Sequence, residues 1–240
     1  MAATANEICC AAGQASGLRA NADGVMMGRQ KAALRDAIDG GGPHPDGRRE
    51  RSRSSRRRII EAMMDLIAAG DVNPSAARVA ERAGVGLRTV FRHFDDKDSI
   101  YREIDELLWQ AYGPAFEAPF QSDTWQARLL ELIERRARMY EEIAPFRIAS
   151  SLQRYSSPAL METYRFLLRK ERENLNRILP DHILRDEHRA RAILLAVSFD
   201  SWRLFRQDEG LSREKTVEVL QQLLRDILDQ IPAPDNSARS

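Results

Sequence analysis

Between Ser75 and Lys97 the chain reads SAARVAERAGVGLRTVFRHFDDK, and its order of small, apolar and turn-forming residues leaves few ways to fold. Pro74 stops any helix arriving from upstream, and the Ser75 hydroxyl suits a helix start. Ala76 to Ala83 is expected as a short helix with Ala76, Val79, Ala80 and Ala83 inward, side chains small enough for another helix to approach closely. Gly84 supplies the left-handed conformation that ends helices, and Val85 packs into the corner. A second short helix is expected from about Gly86 to His93. On it Val90 and Phe94 lie four apart and face inward, which leaves Leu87, Arg88, Thr89, Phe91, Arg92 and His93 on the outer surface and sides. Two short helices joined by a glycine-containing turn form the unit that fits the major groove of DNA.

What precedes this unit is basic. Arg48 to Arg58 reads RRERSRSSRRR and leads into Ile59, Ile60, Met63, Met64 and Ile67, whose three- and four-residue spacing predicts an amphipathic helix from about Ser55 to Ala69. Ser54 or Ser55 is placed at its start and Gly70 just beyond its end. The arginine run itself is read either as a solvated, disordered leader or as a phosphate anchor. Residues 1–47 are rich in Ala, Gly and polar residues and have no aromatic side chain, so they are expected to be mostly disordered, with a short helix possible around Met27–Ile38.

Charge is uneven along the 240 residues. Residues 48–102 carry 13 basic and 8 acidic side chains, whereas residues 103–240 carry 20 and 23, so positive charge gathers where phosphate would be met. Cys9 and Cys10 are adjacent, with no other cysteine in the chain, which excludes a disulfide framework or a four-ligand zinc site. No apolar run reaches the ~20 residues of a membrane-spanning helix, and a cytoplasmic protein without membrane association is expected. His93, and His182 and His188 near Asp181, Asp186 and Glu187, lack the spacing of metal ligands, and neither metal nor cofactor is expected.

Beyond Asp98 the pattern remains helical. One helix is expected over about Lys97 to Tyr112, breaking at Gly113-Pro114 and again at Pro119. Ser122 or Asp123 opens the next, to about Glu142, which Pro145 interrupts before a short helix through Ser151. Ser157-Pro158 reads as an N-cap followed by proline at the first helical position, and that helix is expected to end at Leu179 before Pro180. Two last helices are expected from about Asp186 to Gln207 and from Ser212 to Gln230. Of the 16 aromatic residues, 14 lie beyond Phe94. Trp109, Tyr112, Phe116, Phe120, Trp125, Phe146 and Tyr155 cluster around the helix breaks, either as ordinary core or as the lining of a pocket for an apolar or aromatic effector. The seams of the last two helices, with Ile193, Leu194, Val197 and Leu204 on one and Leu220, Leu224 and Ile227 on the other, serve packing within the protomer or a four-helix bundle with a second copy.

Val79-Ala80-Glu81-Arg82-Ala83-Gly84-Val85, then Thr89-Val90-Phe91-Arg92-His93-Phe94 and Lys97, resembles the signature of the tetracycline-repressor-like (TetR) family of transcriptional regulators. The likeness covers some 45 to 50 residues. It implies an all-α chain of about nine helices: a disordered extension (1–50), a three-helix helix-turn-helix domain (51–101), a helical effector-binding and dimerisation domain (102–231) and a disordered tail (232–240). It further implies that Ser75, Arg78, Leu87, Arg88, Thr89, Phe91, Arg92, His93 and Lys97 meet double-stranded DNA. Arg88 and Arg92 would read base edges, because a guanidinium can donate twice to guanine. Thr89, His93 and Lys97 would meet phosphates, Lys97 together with the free N–H groups of the helix it opens.

Two positions depart from the family pattern. Gly86 stands where many members have Ser, and Phe91 where many have Tyr, so Phe91 either touches a thymine methyl or packs. The function expected is a homodimeric repressor that binds a near-palindromic operator and is released by a small effector. The competing classes are an all-helical interaction module with a basic nucleic-acid-binding leader, and an enzyme. For the latter there is no G-x-S-x-G, H-E-x-x-H, P-loop or glycine-rich dinucleotide loop.

Overall fold

The computed structural model describes residues 47–231, and the side chains of all of these except residues 47–50 and 115–117. The expectations for residues 1–46, for the tail 232–240 and for the Phe116 side chain lie outside the described residues. Among the described residues ten α-helices follow one another: α1 (Gly47–Ala68), α2 (Ala76–Ala83), α3 (Leu87–His93), α4 (Lys97–Glu117), α5 (Trp125–Gln153), α6 (Pro158–Asn176), α7 (Asp181–Leu184), α8 (Glu187–Ala196), α9 (Phe199–Arg203) and α10 (Arg213–Asp229). A π-helical turn, Leu204–Asp208, continues α9. Among the described residues there is no strand, and no helix is long and apolar enough to cross a membrane.

The head packs as its apolar spacing requires. Ile59, Ile60, Met63 and Ile67 of α1 close on Val79, Ala80 and Ala83 of α2, Val90 of α3, Phe94, and Ile100 and Ile104 of α4, all of them buried. Gly70 at φ 97° turns the chain out of α1. α1 begins earlier than Ser54 or Ser55, because backbone bonding continues through the arginines. Ser55 caps nothing, and its hydroxyl donates to the Arg51 carbonyl one turn back (3.0 Å).

Two expected breaks in the body are absent. α4 runs through Pro114 and α5 through Pro145. A proline inside a helix removes one hydrogen bond and crowds the preceding turn, yet Ala144 and Phe146 on either side of Pro145 are buried in the core, and packing outweighs the lost bond. Gly113, the residue before Pro114, lies directly against the Trp109 ring. The start of α5 is capped by Thr124, whose Oγ1 accepts the Ala127 N–H (3.2 Å), while the Ser122 N–H is taken by Glu131.

Conversely, the helix expected over 186–207 is broken. Val197 leaves helical geometry, and Ser198, extended, caps α9 through the Ser201 N–H (3.1 Å). The break is held by a residue distant in sequence: Arg136 of α5, 3% exposed, donates to the Val197 carbonyl (2.7 Å) and to the Glu171 carbonyl (3.2 Å). Around it α5 packs on α6, α9 and α10, α10 packs on α8, and α4 joins head to body by packing on α1, α5 and α6. Beneath them Tyr140, Phe199 and Trp202 form one aromatic cluster with centroids 5.1–5.7 Å apart.

Candidate nucleic-acid interface

The turn between α2 and α3 has the geometry its residues require. The Ser75 hydroxyl accepts the Arg78 N–H (3.3 Å). Gly84 takes φ 61°, and the Gly84 and Val85 N–H groups bond back to the Glu81 and Ala80 carbonyls (3.0 Å each). Arg58 of α1 donates to the Gly84 carbonyl (3.0 Å), so an added Cβ at Gly84 would meet that guanidinium at 2.7 Å. Gly86 opens α3 without a side-chain cap, as its lack of a hydroxyl dictates.

Burial of Val90 (1% exposed) and Phe94 (2%) sets the face that α3 turns outward. Arg88, Arg92, Leu87 and Phe91 are exposed, the last two by 44% and 54%. Two large apolar side chains beside two free-standing guanidiniums make a surface suited to base edges and thymine methyls. Thr89 is half-buried at the side of this face.

Ser75 is exposed at the start of α2, and Arg78, also exposed, pairs with Asp71. Lys97 is half-buried and its ammonium donates to the Asn73 side chain. The anion site expected at the start of α4 is partly occupied by the chain itself, since Asp96 accepts the Ser99 N–H (2.7 Å) and Asp98 adds a second carboxylate there. His93 is half-buried, and its Nε2 has no hydrogen-bond partner among the described residues. Burial, then the Arg92 and Arg56 guanidiniums, lowers its pKa, so the ring remains neutral to lower pH than an ordinary histidine.

The arginine run divides. Arg56 bonds the His93 carbonyl (2.6 Å), pairs with Glu103 of α4 and lies over the Phe94 ring at 4.3 Å, and Arg58 holds the α2–α3 turn. Both are fixing devices of the head rather than members of a loose leader, a role that composition conceals because it depends on partners 26 to 47 residues away. Arg56 lies three and four residues before Ile59 and Ile60, on the same helix face, and that spacing is the signal that could have shown its role.

In the body the expected pocket aromatics have separate surroundings. Trp109 meets Phe166 edge-on (5.4 Å), and the Tyr112 hydroxyl donates to Glu142 (2.7 Å). Arg135 lies over Phe120, and Trp125 meets His182. Phe146 is core, and Tyr155 is 77% exposed. None of them lines the cleft of about 350 Å³ bounded by Asp105, Arg147, Ser150, Tyr164, Phe199 and Asp200, which sequence reading missed. Behind that cleft Arg147 pairs with Glu171 (2.6 Å), and burial together with the Glu171 charge pushes the Tyr140 hydroxyl above its usual range. Of the expected pairing residues, Ile193, Val197, Leu220 and Leu224 are buried within the protomer, where α10 packs on α5 and on α8. Leu194 and Ile227 are half-buried, and Leu204 is 44% exposed.

Residues 59–104 match the family model of bacterial regulatory proteins of the tetR family. No curated protein matches the chain. Among solved structures, a transcriptional regulator from Rhodococcus sp. Rha1 is similar at 23% identity, covering 74% of this chain and 100% of that one, with a TM-score of 0.57. A Clostridium perfringens protein named as a candidate fatty acid metabolism regulator is similar at 18% identity, covering 73% and 99%, with a TM-score of 0.52. These are likenesses of fold, and the local match lies on the α1–α4 unit whose geometry is given above. Residues 59–104 thus carry a helix-turn-helix unit similar to that of the tetR family, and the body behind it is all-helical among the described residues.

Proposed function

We propose that the protein is a homodimeric repressor that binds a near-palindromic operator through α3 in the cytoplasm and leaves it when a small-molecule effector occupies the body. The observation that carries this reading is the outward face of α3, where Arg88 and Arg92 stand exposed beside Leu87 and Phe91 while Val90 anchors the helix. Arg88 and Arg92 read bases, Thr89 and Lys97 meet phosphates, and Ser75 and Arg78 at the start of α2 border the backbone. His93, neutral and half-buried, contributes at most one N–H.

Pairing uses what the protomer leaves uncovered on α8, α9 and α10. Leu195 is 63% exposed, Leu204 44% and Leu223 40%, next to the half-buried Leu194 and Ile227. Such a pair holds two heads at half-sites about one helical turn apart. No step of this reading requires a cofactor or catalysis.

Selection of bound fragments from genomic DNA, followed by footprinting, tests it. Protection of a discrete two-fold site by a dimer is the expected result. Retention that is independent of sequence and abolished by moderate salt would overturn it in favour of a basic interaction module.

A further inference from the structure

The body cleft presents a buried carboxylate whose nearest guanidinium, Arg147, is paired with another group. Asp105, on α4, is only 7% exposed. Its Oδ2 accepts one hydrogen bond, from the Ser150 hydroxyl of α5 (2.8 Å), and it forms no ion pair among the described residues. Arg147 of α5, which shares the cleft, is committed elsewhere: it pairs with Glu171 of α6 at 2.6 Å and lies over the Phe199 ring at 4.2 Å. A second carboxylate, Asp200, stands exposed where α9 borders the cleft. Tyr164 and Phe199 supply apolar walls, and Arg154 covers one face of Tyr164 at 4.1 Å. The roughly 350 Å³ of empty space at this cleft includes open solvent, so an occupant seated on Asp105 remains partly in water.

We infer that this cleft binds an organic cation, a protonated amine on a small apolar or aromatic body, with its ammonium paired to Asp105 and its body against Tyr164 and Phe199. The inference rests on the effector reading above and gives that effector a charge. A buried carboxylate is costly when unpaired and becomes favourable once a cation with good hydrogen-bond geometry joins it. An anion would have to draw Arg147 from Glu171 and lie beside Asp105 and Asp200.

The site is placed to act on the head. Asp105 lies one helical turn beyond Tyr101, whose hydroxyl donates to the Val72 carbonyl of the head (3.0 Å). Glu103, between them, pairs with Arg56 of α1. A ligand that replaces Ser150 at Asp105 therefore loosens α5 from the helix that carries the DNA-reading unit.

Burial pushes the Asp105 carboxyl up to about 7, against the opposing effects of the Ser150 hydrogen bond and the Arg147 charge, with Glu106 adding to the rise. Pairing with a cation accordingly strengthens as pH passes upward through that value.

The test uses the full-length protein, phenethylammonium and its anionic counterpart phenylacetate, with binding read by calorimetry at pH 6 and pH 8. Phenethylammonium is expected to bind, more tightly at pH 8, and phenylacetate is not. Asp105→Asn, which keeps shape and removes charge, is expected to lower the amine affinity roughly tenfold or more and to abolish its pH dependence. Ser150→Ala, which frees the carboxylate, is expected to retain binding. Absence of amine binding, tighter binding of phenylacetate, or equal amine affinity in Asp105→Asn would overturn the proposal. The effector reading is judged separately, on the selected operator. If a compound library yields a ligand that releases wild-type protein and Asp105→Asn alike, the cationic site is wrong and the effector reading stands. If no compound releases the operator, the effector reading itself falls.

Discussion

In the head, charged side chains join helices at the surface: Arg56 to Glu103, Arg78 to Asp71 and Arg82 to Asp65, with the guanidiniums 43–57% exposed. In the body, Arg147 and Glu171 pair with side chains only 9% and 4% exposed, and the buried Arg136 bonds two carbonyls from elements remote in sequence. Exposed pairs of the first kind contribute about 0–1 kcal/mol each, so the head is held by its apolar core and its caps. The buried group is different in kind, because removal of one member leaves an uncompensated charge. The comparison separates a local unit, specified by neighbours in sequence, from an assembly specified by distant polar contacts.

The sharpest way to break that contrast is Glu171→Ala. It strips Arg147 of its partner and is expected to destabilise the fold by about 3–5 kcal/mol in chemical denaturation, whereas Asp71→Ala in the head is expected to cost less than about 1 kcal/mol. Equal effects would erase the distinction. The Glu171 carboxyl is held below its usual range despite burial, by the Arg147 and Arg136 charges and by hydrogen bonds from Arg147 and the Tyr140 hydroxyl. Its contribution is therefore present above the unfolded-state pKa and is lost as pH falls through the folded-state value.

Asp105 behaves oppositely. Its folded pKa, about 7, lies above the ordinary 3.8, so the folded state holds a proton that the unfolded state releases, and stability falls as pH rises across that window. Asp105→Asn is expected to raise stability at pH 8 by an amount on the order of 2 kcal/mol, with no gain at pH 3. Denaturation midpoints at the two pH values check this, and an unchanged pH profile would show the group to be adequately solvated.

Within the head, Arg92→Ala is expected to lower operator affinity by roughly 1–3 kcal/mol and relax base preference, while Lys97→Ala weakens all sequences about equally. An unchanged ratio of operator to random-DNA affinity for Arg92→Ala would remove it from base reading. Gly84→Ala, which combines a left-handed backbone with contact against Arg58, is expected to cost about 1–2 kcal/mol in thermal unfolding. The smallest effect is a gain: Gly86→Ser adds the missing cap of α3, worth a few tenths of a kcal/mol. The Gly86 backbone, φ −70° and ψ 147°, already suits a capping residue.

These effects follow the line along which the sequence was readable. Ser75, Gly84, Val90 and Phe94 announced the helix-turn-helix because caps, turns and apolar spacing act over at most a few residues. Ser157-Pro158 was readable for the same reason. Pro114 and Pro145 misled, since a local hydrogen-bond loss was set against packing energy that spacing cannot show. Val197-Ser198 misled in the other direction, because the Arg136 guanidinium that receives the freed Val197 carbonyl comes from 61 residues upstream.

The candidate sites divide likewise. Which residues of α3 face outward follows from the burial of Val90 and Phe94, and the sequence alone determined it through the 3.6-residue period of a helix. Whether Arg56 and Arg58 meet phosphate or hold the head, and whether Ile193, Val197, Leu220 and Leu224 face a second copy or the protomer's own core, was decided by tertiary packing. So was the meeting of Asp105, Arg147, Tyr164 and Asp200 around one cleft. Periodicity shows that a side chain is turned inward, but what lies opposite depends on how α4, α5, α6 and α9 cross, and no local rule carries that geometry.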